Sequence, residues 1–296
     1  MNAWAEVEAS STNGLSEFVA RALAVGAQAR ATPLVPMAAA AFLGIAAPRI
    51  AMALVCGATT ETRVRAFHDT DGWVLTGDAG PVPWAATAAT LLVAARTDPP
   101  SLPPALGLFV VDGAASGISR RARPSIGADA MSHVQLDGVR VGDAARFDDS
   151  ARAPWSSVVA ALDQTTIVAA AELAGLARGA LDAAIAYAST REQFGAPIAT
   201  YQALAHRLAD MAIDTESAEL AVEEATDAPT PQNASRAKII ANDAAHRVTA
   251  GLHQINGGVG FYADQLPPAF YARALALRIE MGDSSTHRLR LAASFA

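Results

Sequence analysis

Apolar positions recur along this chain with two different periods, and the changes of period divide it. Between Leu15 and Gln28 they fall at helical spacing, with Asn13 placed to cap the start. Pro33 and Pro36 interrupt that pattern. Met37–Val55 follows as a strongly apolar run and reads as a second buried helix, bent at Pro48. Thr62-Arg63-Val64-Arg65-Ala66-Phe67 alternates in twos, Asp69–Gly72 is a turn, Trp73–Leu75 pairs back, and Thr76-Gly77 turns again. Leu91–Ala95, Leu106–Val111, Gly117–Ser119 and His133–Val141 continue as short strands, with Pro99–Pro104 as a loop. Such strands with Gly, Asp and Pro turns predict a small β-barrel or sandwich. Beyond 150 the helical period returns in Leu162–Ala188, Tyr201 to about Thr226, Ser235–His253 and Pro267–Glu280, with breaks at Asp227–Pro231 and Gly257–Gly260. Long helices with short connections predict an antiparallel bundle. The fold class is therefore α+β and multidomain: a helical segment over 1–58, a β domain over 59–150 and a four-helix bundle over 151–296.

Of the 296 residues 52% are apolar, which is enough to bury a sizeable core. The mean hydropathy of +0.23 raises the question of a membrane span. In the most apolar window, Met37–Val55, Pro48 and Arg49 leave neither side with the roughly 18 apolar residues a span needs. Acidic residues come early and no basic leader precedes an apolar stretch, so neither a signal peptide nor a membrane partner is expected. A net charge of −7 argues against nucleic acid. Cys56 is the single cysteine, which excludes an internal disulfide and a multi-cysteine zinc site and fits a cytoplasmic protein.

Candidate chemistry concentrates in Tyr187–Met211, YASTREQFGAPIATYQALAHRLADM. A helix ends there, Phe194-Gly195-Ala196-Pro197 breaks the chain, and Leu204, Leu208 and Met211 open the next buried stripe. Arg191, taken alone, is a cation complementing a helix C-terminus. A second motif is Gln254-Ile255-Asn256-Gly257-Gly258-Val259-Gly260-Phe261, where glycines bare the backbone for a phosphate. A third is Arg278–Arg288, RIEMGDSSTHR.

Together these motifs resemble the acyl-CoA dehydrogenase family, and in particular the non-catalytic subunit of the actinobacterial heterotetrameric (α2β2) steroid-degrading members. The resemblance implies FAD as cofactor, an acyl-CoA substrate, an electron-transfer-flavoprotein-like acceptor and a paralogous catalytic partner. It also implies that Arg191, Gln193, Phe194, Gln254, Gly257 and Gly258 meet the FAD of a neighbouring subunit. The family opens with a longer helical domain, so the resemblance implies a truncated one here.

Several positions depart from the family pattern. Its catalytic glutamate falls on Met281, and the alternative base position on the first bundle helix falls on Thr165; neither side chain is a useful base. The threonine that touches the flavin pyrophosphate falls on Asp283. The flavin-covering W-x-T segment falls on Pro81-Val82-Pro83, and the loop before it is shortened to Cys56–Thr59. Asp163, Glu172 and Glu280 are the nearby carboxylates, and each reads first as a surface or helix-end charge. The resemblance thus implies a subunit without its own base that completes a partner's FAD site. Two alternatives stand beside it: a self-sufficient homo-oligomer with Glu280 or Glu172 as relocated base, and a structural pseudoenzyme partner.

Overall fold

The computed structural model describes residues 14–46, 49–53, 62–97, 106–147, 155–262 and 265–295. Asn13, Pro48, Cys56–Thr59 and Pro99–Pro104 lie outside them. Contacts divide the chain into two compact units. The first takes Thr32–Ser125 and Asp129–Thr165; the second takes helix α1 (Leu15–Gly26), the short Ile126–Ala128 segment and the chain from Thr166 onward.

The first unit holds helix α2 (Leu34–Phe42) and one seven-stranded mixed sheet. Its strands are β1 (Ile50–Ala53), β2 (Arg63–Asp69), β3 (Gly72–Pro83), β4 (Thr90–Thr97), β5 (Leu106–Asp112), β6 (Ile118–Ala122) and β7 (Met131–Val141). The order is β1-β4-β2-β3-β7-β6, with β5 on the other edge of β4. The expected β domain is present as one curled mixed sheet of seven strands. Val64 and Ala66 on β2, all of Leu91–Val93 on β4 and Leu108, Phe109 and Val111 on β5 are buried. Ala40, Leu43, Ile50, Leu92 and Leu108 pack with Val158 and Ala161, from the start of the long helix that follows.

Two expectations are corrected here. The apolar run Met37–Val55 is not one helix. Gly44 takes φ +68° after α2, and Ile50–Ala53 leaves to pair in parallel with Thr90–Val93. A four-residue apolar run carries no period that tells strand from helix. Thr76-Gly77 is not a turn either. β3 runs straight through it, and Gly77, at φ +142°, accommodates a register shift against β7 between Leu75 and Gly77.

The second unit is built on α3 (Trp155–Thr190) from Thr166 onward, α4 (Gln202–Asp227), α5 (Pro231–Asn256) and α6 (Leu266–Leu277). Thr230 caps α5 by accepting from the Asn233 amide, and Pro231 occupies its first turn, so this helix starts earlier than the apolar pattern suggests. The fourth helix ends at Leu277, not at Glu280, and a further helix α7 (Ser284–Ala293) follows. Asp283 caps it by accepting from the Thr286 amide. Among the described helices α3 alone is long and apolar enough to cross a membrane, and 78% of its most apolar window is buried inside the protein. Helix α1 lies so close to α3 that a Cβ on Gly175 would stand 2.1 Å from the Leu23 carbonyl oxygen.

Candidate functional site

The first motif forms a miniature hairpin. Helix α3 stops at Thr190, β8 (Glu192–Gln193) pairs with β9 (Ala196–Pro197), and Phe194-Gly195 make a two-residue turn at φ +54° and +85°. Positive φ at both central residues is the I′ geometry that matches strand twist. Gly195 therefore serves a hairpin turn and is not the residue that stops the helix. The Arg191 amide donates to the Tyr187 carbonyl at 2.9 Å, and the Arg191 carbonyl accepts from the Ile198 amide at 2.8 Å. The first bond ties the hairpin to the end of α3, and the second closes its two sides on each other. Arg191 and Gln193 are exposed, and Phe194 is 95% exposed.

The second motif ends α5. Gly257 takes φ +59° and ψ −139°, a conformation reserved for glycine, and its amide donates to the Gln254 and His253 carbonyls. Gly258 is exposed, and a Cβ on either glycine would meet nothing within 4 Å. Gln254 lines a groove of about 590 Å³ between α4 and α5, along with His206, Arg207, Asp214, His246 and Arg247. Arg247 donates to both carboxylate oxygens of Asp214 at 2.6 and 2.7 Å. Burial holds His246 below the ordinary histidine value, and the Arg278 charge adds to that. Because α4 begins and α5 ends at this groove, Arg191, Gln193, Phe194, Gln254, Gly257 and Gly258 share one end of the bundle.

The third motif sits at the other end. His287, 3% exposed, contacts the Met281 carbonyl through Nε2 at 2.9 Å and Ser235 Oγ through Nδ1 at 3.3 Å. Lys238, fully buried, donates from Nζ to Asn242 Oδ1 at 2.7 Å and to the Leu277 carbonyl at 3.2 Å. Ser235 and Gln254 are separated along α5 by roughly 28 Å at ~1.5 Å per residue. Met281 is buried at φ +57°, in the turn after α6. Glu280 lies in the same turn, half-buried, and not on a helix.

The carboxylate candidates are placed differently from the surface reading. Asp163 is 3% exposed and Glu172 fully buried. Glu172 Oε1 accepts from Arg273 at 2.6 Å, and Arg273 is itself 2% exposed. This pair joins α3 to α6. Thr165 is buried, and its hydroxyl donates back to the Ala161 carbonyl at 2.8 Å. Sequence reasoning did not find Arg273 and His287. For Arg273 the signal was available as a lone charge in the apolar run Phe270–Leu277.

Features of the two ends bear on whether FAD fits this chain. At the hairpin end the exposed Arg191 guanidinium and Gln254 amide are donors suited to a pyrophosphate, and Gly257 and Gly258 leave open space for its approach. At the closing end the Asp283 carboxylate already caps the first turn of α7. The Thr286 amide, and then its hydroxyl, hold this carboxyl below the usual range. A pyrophosphate there would meet like charge. Pro81 and Pro83 on β3 carry no N–H. The exposed groups at the hairpin end therefore fit a pyrophosphate-bearing cofactor such as FAD, and the Asp283 carboxylate at the closing end does not.

The Asp283 cap has a measurable consequence. A carboxyl lowered on folding adds stability above its ordinary value, and that contribution disappears as pH falls through the lowered value. Asp283→Ala is expected to cost about 1 kcal/mol at pH 7. The gap to the wild type should shrink below about pH 4. Denaturant melts at both pH values check it.

Residues 155–296 match the family model for the acyl-CoA dehydrogenase C-terminal domain. Acyl-CoA dehydrogenase FadE27 of Mycobacterium tuberculosis is 29% identical over 94% of this chain and 79% of its own length. A chain of the ChsE4-ChsE5 complex from Mycobacterium tuberculosis superposes with a TM-score of 0.84 at 26% identity, over 95% of this chain and 80% of that one. A variant of the Tcur3481-Tcur3483 steroid ACAD gives a TM-score of 0.82 at 27% identity, with the same coverage. Against the FadE25 proteins of Mycobacterium leprae and Mycobacterium bovis the chain spans only 60% of their length. With this fold and these motifs, the chain belongs to the acyl-CoA dehydrogenase family.

Proposed function

We propose that this chain is the non-catalytic subunit of a hetero-oligomeric, FAD-dependent acyl-CoA dehydrogenase. In this reading a paralogous catalytic subunit holds the flavin and the base in an α2β2 assembly. This chain then closes the adenine and pyrophosphate end of that FAD. The observation that carries the reading is the hairpin end of the bundle. There Arg191, Gln193, Phe194 and Gln254 are exposed beside open glycine backbone, and Arg191 makes no ion pair among the described residues. Met281, Thr165 and the ion-paired Glu172 leave this chain without a base of its own at those positions.

Each residue has a task in that assembly. Arg191 supplies fixed positive charge to the pyrophosphate. Gln193 and Gln254 offer amide donors, Phe194 brings an apolar cover, and Gly257 and Gly258 admit close approach of backbone. The bound flavin supplies the hydride acceptor. The overall reaction is α,β-dehydrogenation of an acyl-CoA to a 2-enoyl-CoA, with electrons passed on to an electron-transfer-flavoprotein-like acceptor. The ChsE4-ChsE5 complex and the Tcur3481-Tcur3483 steroid ACAD support a two-chain assembly, and the latter supports a bulky, steroid-derived acyl group.

Purification of the chain alone, and after co-expression with a paralogous acyl-CoA dehydrogenase subunit, tests the reading. The expected result is a colourless chain alone and a yellow complex with about one FAD per pair of chains. A chain that is yellow and turns over acyl-CoA by itself would overturn it.

A further inference from the structure

The residue that opens α4 does not do what a helix start asks of it. Tyr201 stands at the N-cap and makes no side-chain capping bond. Ser, Thr, Asp or Asn would satisfy a free amide there, and Tyr cannot. Its hydroxyl turns back to the hairpin instead. It donates to the Gln193 carbonyl at 2.8 Å and lies 3.4 Å from the Phe194 carbonyl. Its ring meets the Phe194 ring edge-on, with centroids 6.2 Å apart and planes at 87°.

The turn it reaches needs holding. Phe194 is a bulky residue at φ +54°, a region costly for any side chain. Being 95% exposed, it recovers little packing energy within this chain. Strain of this kind persists only where the surroundings impose it. The two-residue strands give little support, since β8 and β9 pair over only two positions. Tyr201 is the side chain that bonds to the tip itself.

We infer that Tyr201 is a positioning residue. Its hydroxyl fixes the Gln193–Phe194 turn in the conformation that presents Arg191, Gln193 and Phe194 to the neighbouring subunit's FAD. This inference rests on the proposed function and adds a residue that acts through the turn.

Tyr201→Phe keeps the ring and removes only the hydroxyl, so the helix start and the ring contact survive. The test compares the co-expressed complex in wild-type, Tyr201→Phe and Arg191→Ala forms. The rate of FAD release, the melting temperature and the turnover per bound FAD are measured for each. Tyr201→Phe should release FAD about threefold to tenfold faster, the worth of one hydrogen bond. Its melting temperature and its turnover per bound FAD should match the wild type. A merely structural role would lower the melting temperature instead. If Arg191→Ala accelerates release and Tyr201→Phe does not, the positioning role is overturned while the shared site stands. If neither variant changes release, the shared site falls and the role of Tyr201 falls with it.

Discussion

Glu172→Ala is expected to destabilise the helical bundle by about 3–5 kcal/mol, because it leaves the Arg273 guanidinium buried without its 2.6 Å carboxylate. Glu172 and Arg273 are 0% and 2% exposed, so water cannot take the place of the lost partner. The expected size reflects the penalty of an uncompensated charge more than the net worth of the pair. Replacing both residues, Glu172→Leu with Arg273→Met, should recover most of the loss. Denaturant unfolding followed by far-UV circular dichroism measures each variant. A single variant as stable as the wild type would contradict this reading of the pair.

Much of the fold was legible because long helices carry their period. Gln202–Asp227 and Pro231–Asn256 lie where the period places them, with ends displaced by one to four residues, while Trp155–Thr190 starts seven residues before the expected Leu162. The early start at Pro231 and the added helix at Ser284 follow from caps. Thr230 and Asp283 begin helices through side-chain bonds that the apolar pattern does not encode. The strand at Ile50–Ala53 was misread because its four apolar residues continue the composition of Leu34–Phe42. Only its parallel pairing with β4 makes it a strand, and that pairing is long-range.

The motifs were legible in the sequence, but their arrangement was not. Motifs separated in the chain, around Arg191 and around Gly257, lie at one end of the bundle because α4 and α5 run antiparallel between them. The closing motif goes to the other end, where Lys238 and His287 anchor it. Burial of Glu172 could not be read from its spacing, since its partner Arg273 lies 101 residues away. Tyr201 was passed over for a similar reason. Beside Gln202 it looks like one more apolar position at a helix start, and its hydroxyl matters only once the hairpin folds back.

Arg191→Ala bears on the central claim, that this chain completes a cofactor site it does not itself own. The guanidinium is exposed, and its backbone is fixed by the Tyr187 and Ile198 bonds, so removing the side chain leaves the hairpin intact. Loss of a charge-assisted contact to a pyrophosphate should weaken retention of FAD by about 10-fold to 100-fold. The melting temperature of this chain alone should not change. The most direct measurement is the rate of FAD release from the two-chain complex, with Arg191→Ala in this chain and the partner left unaltered. Release accelerated by about one to two orders of magnitude is the predicted result. Unchanged release with full flavin content would contradict the account.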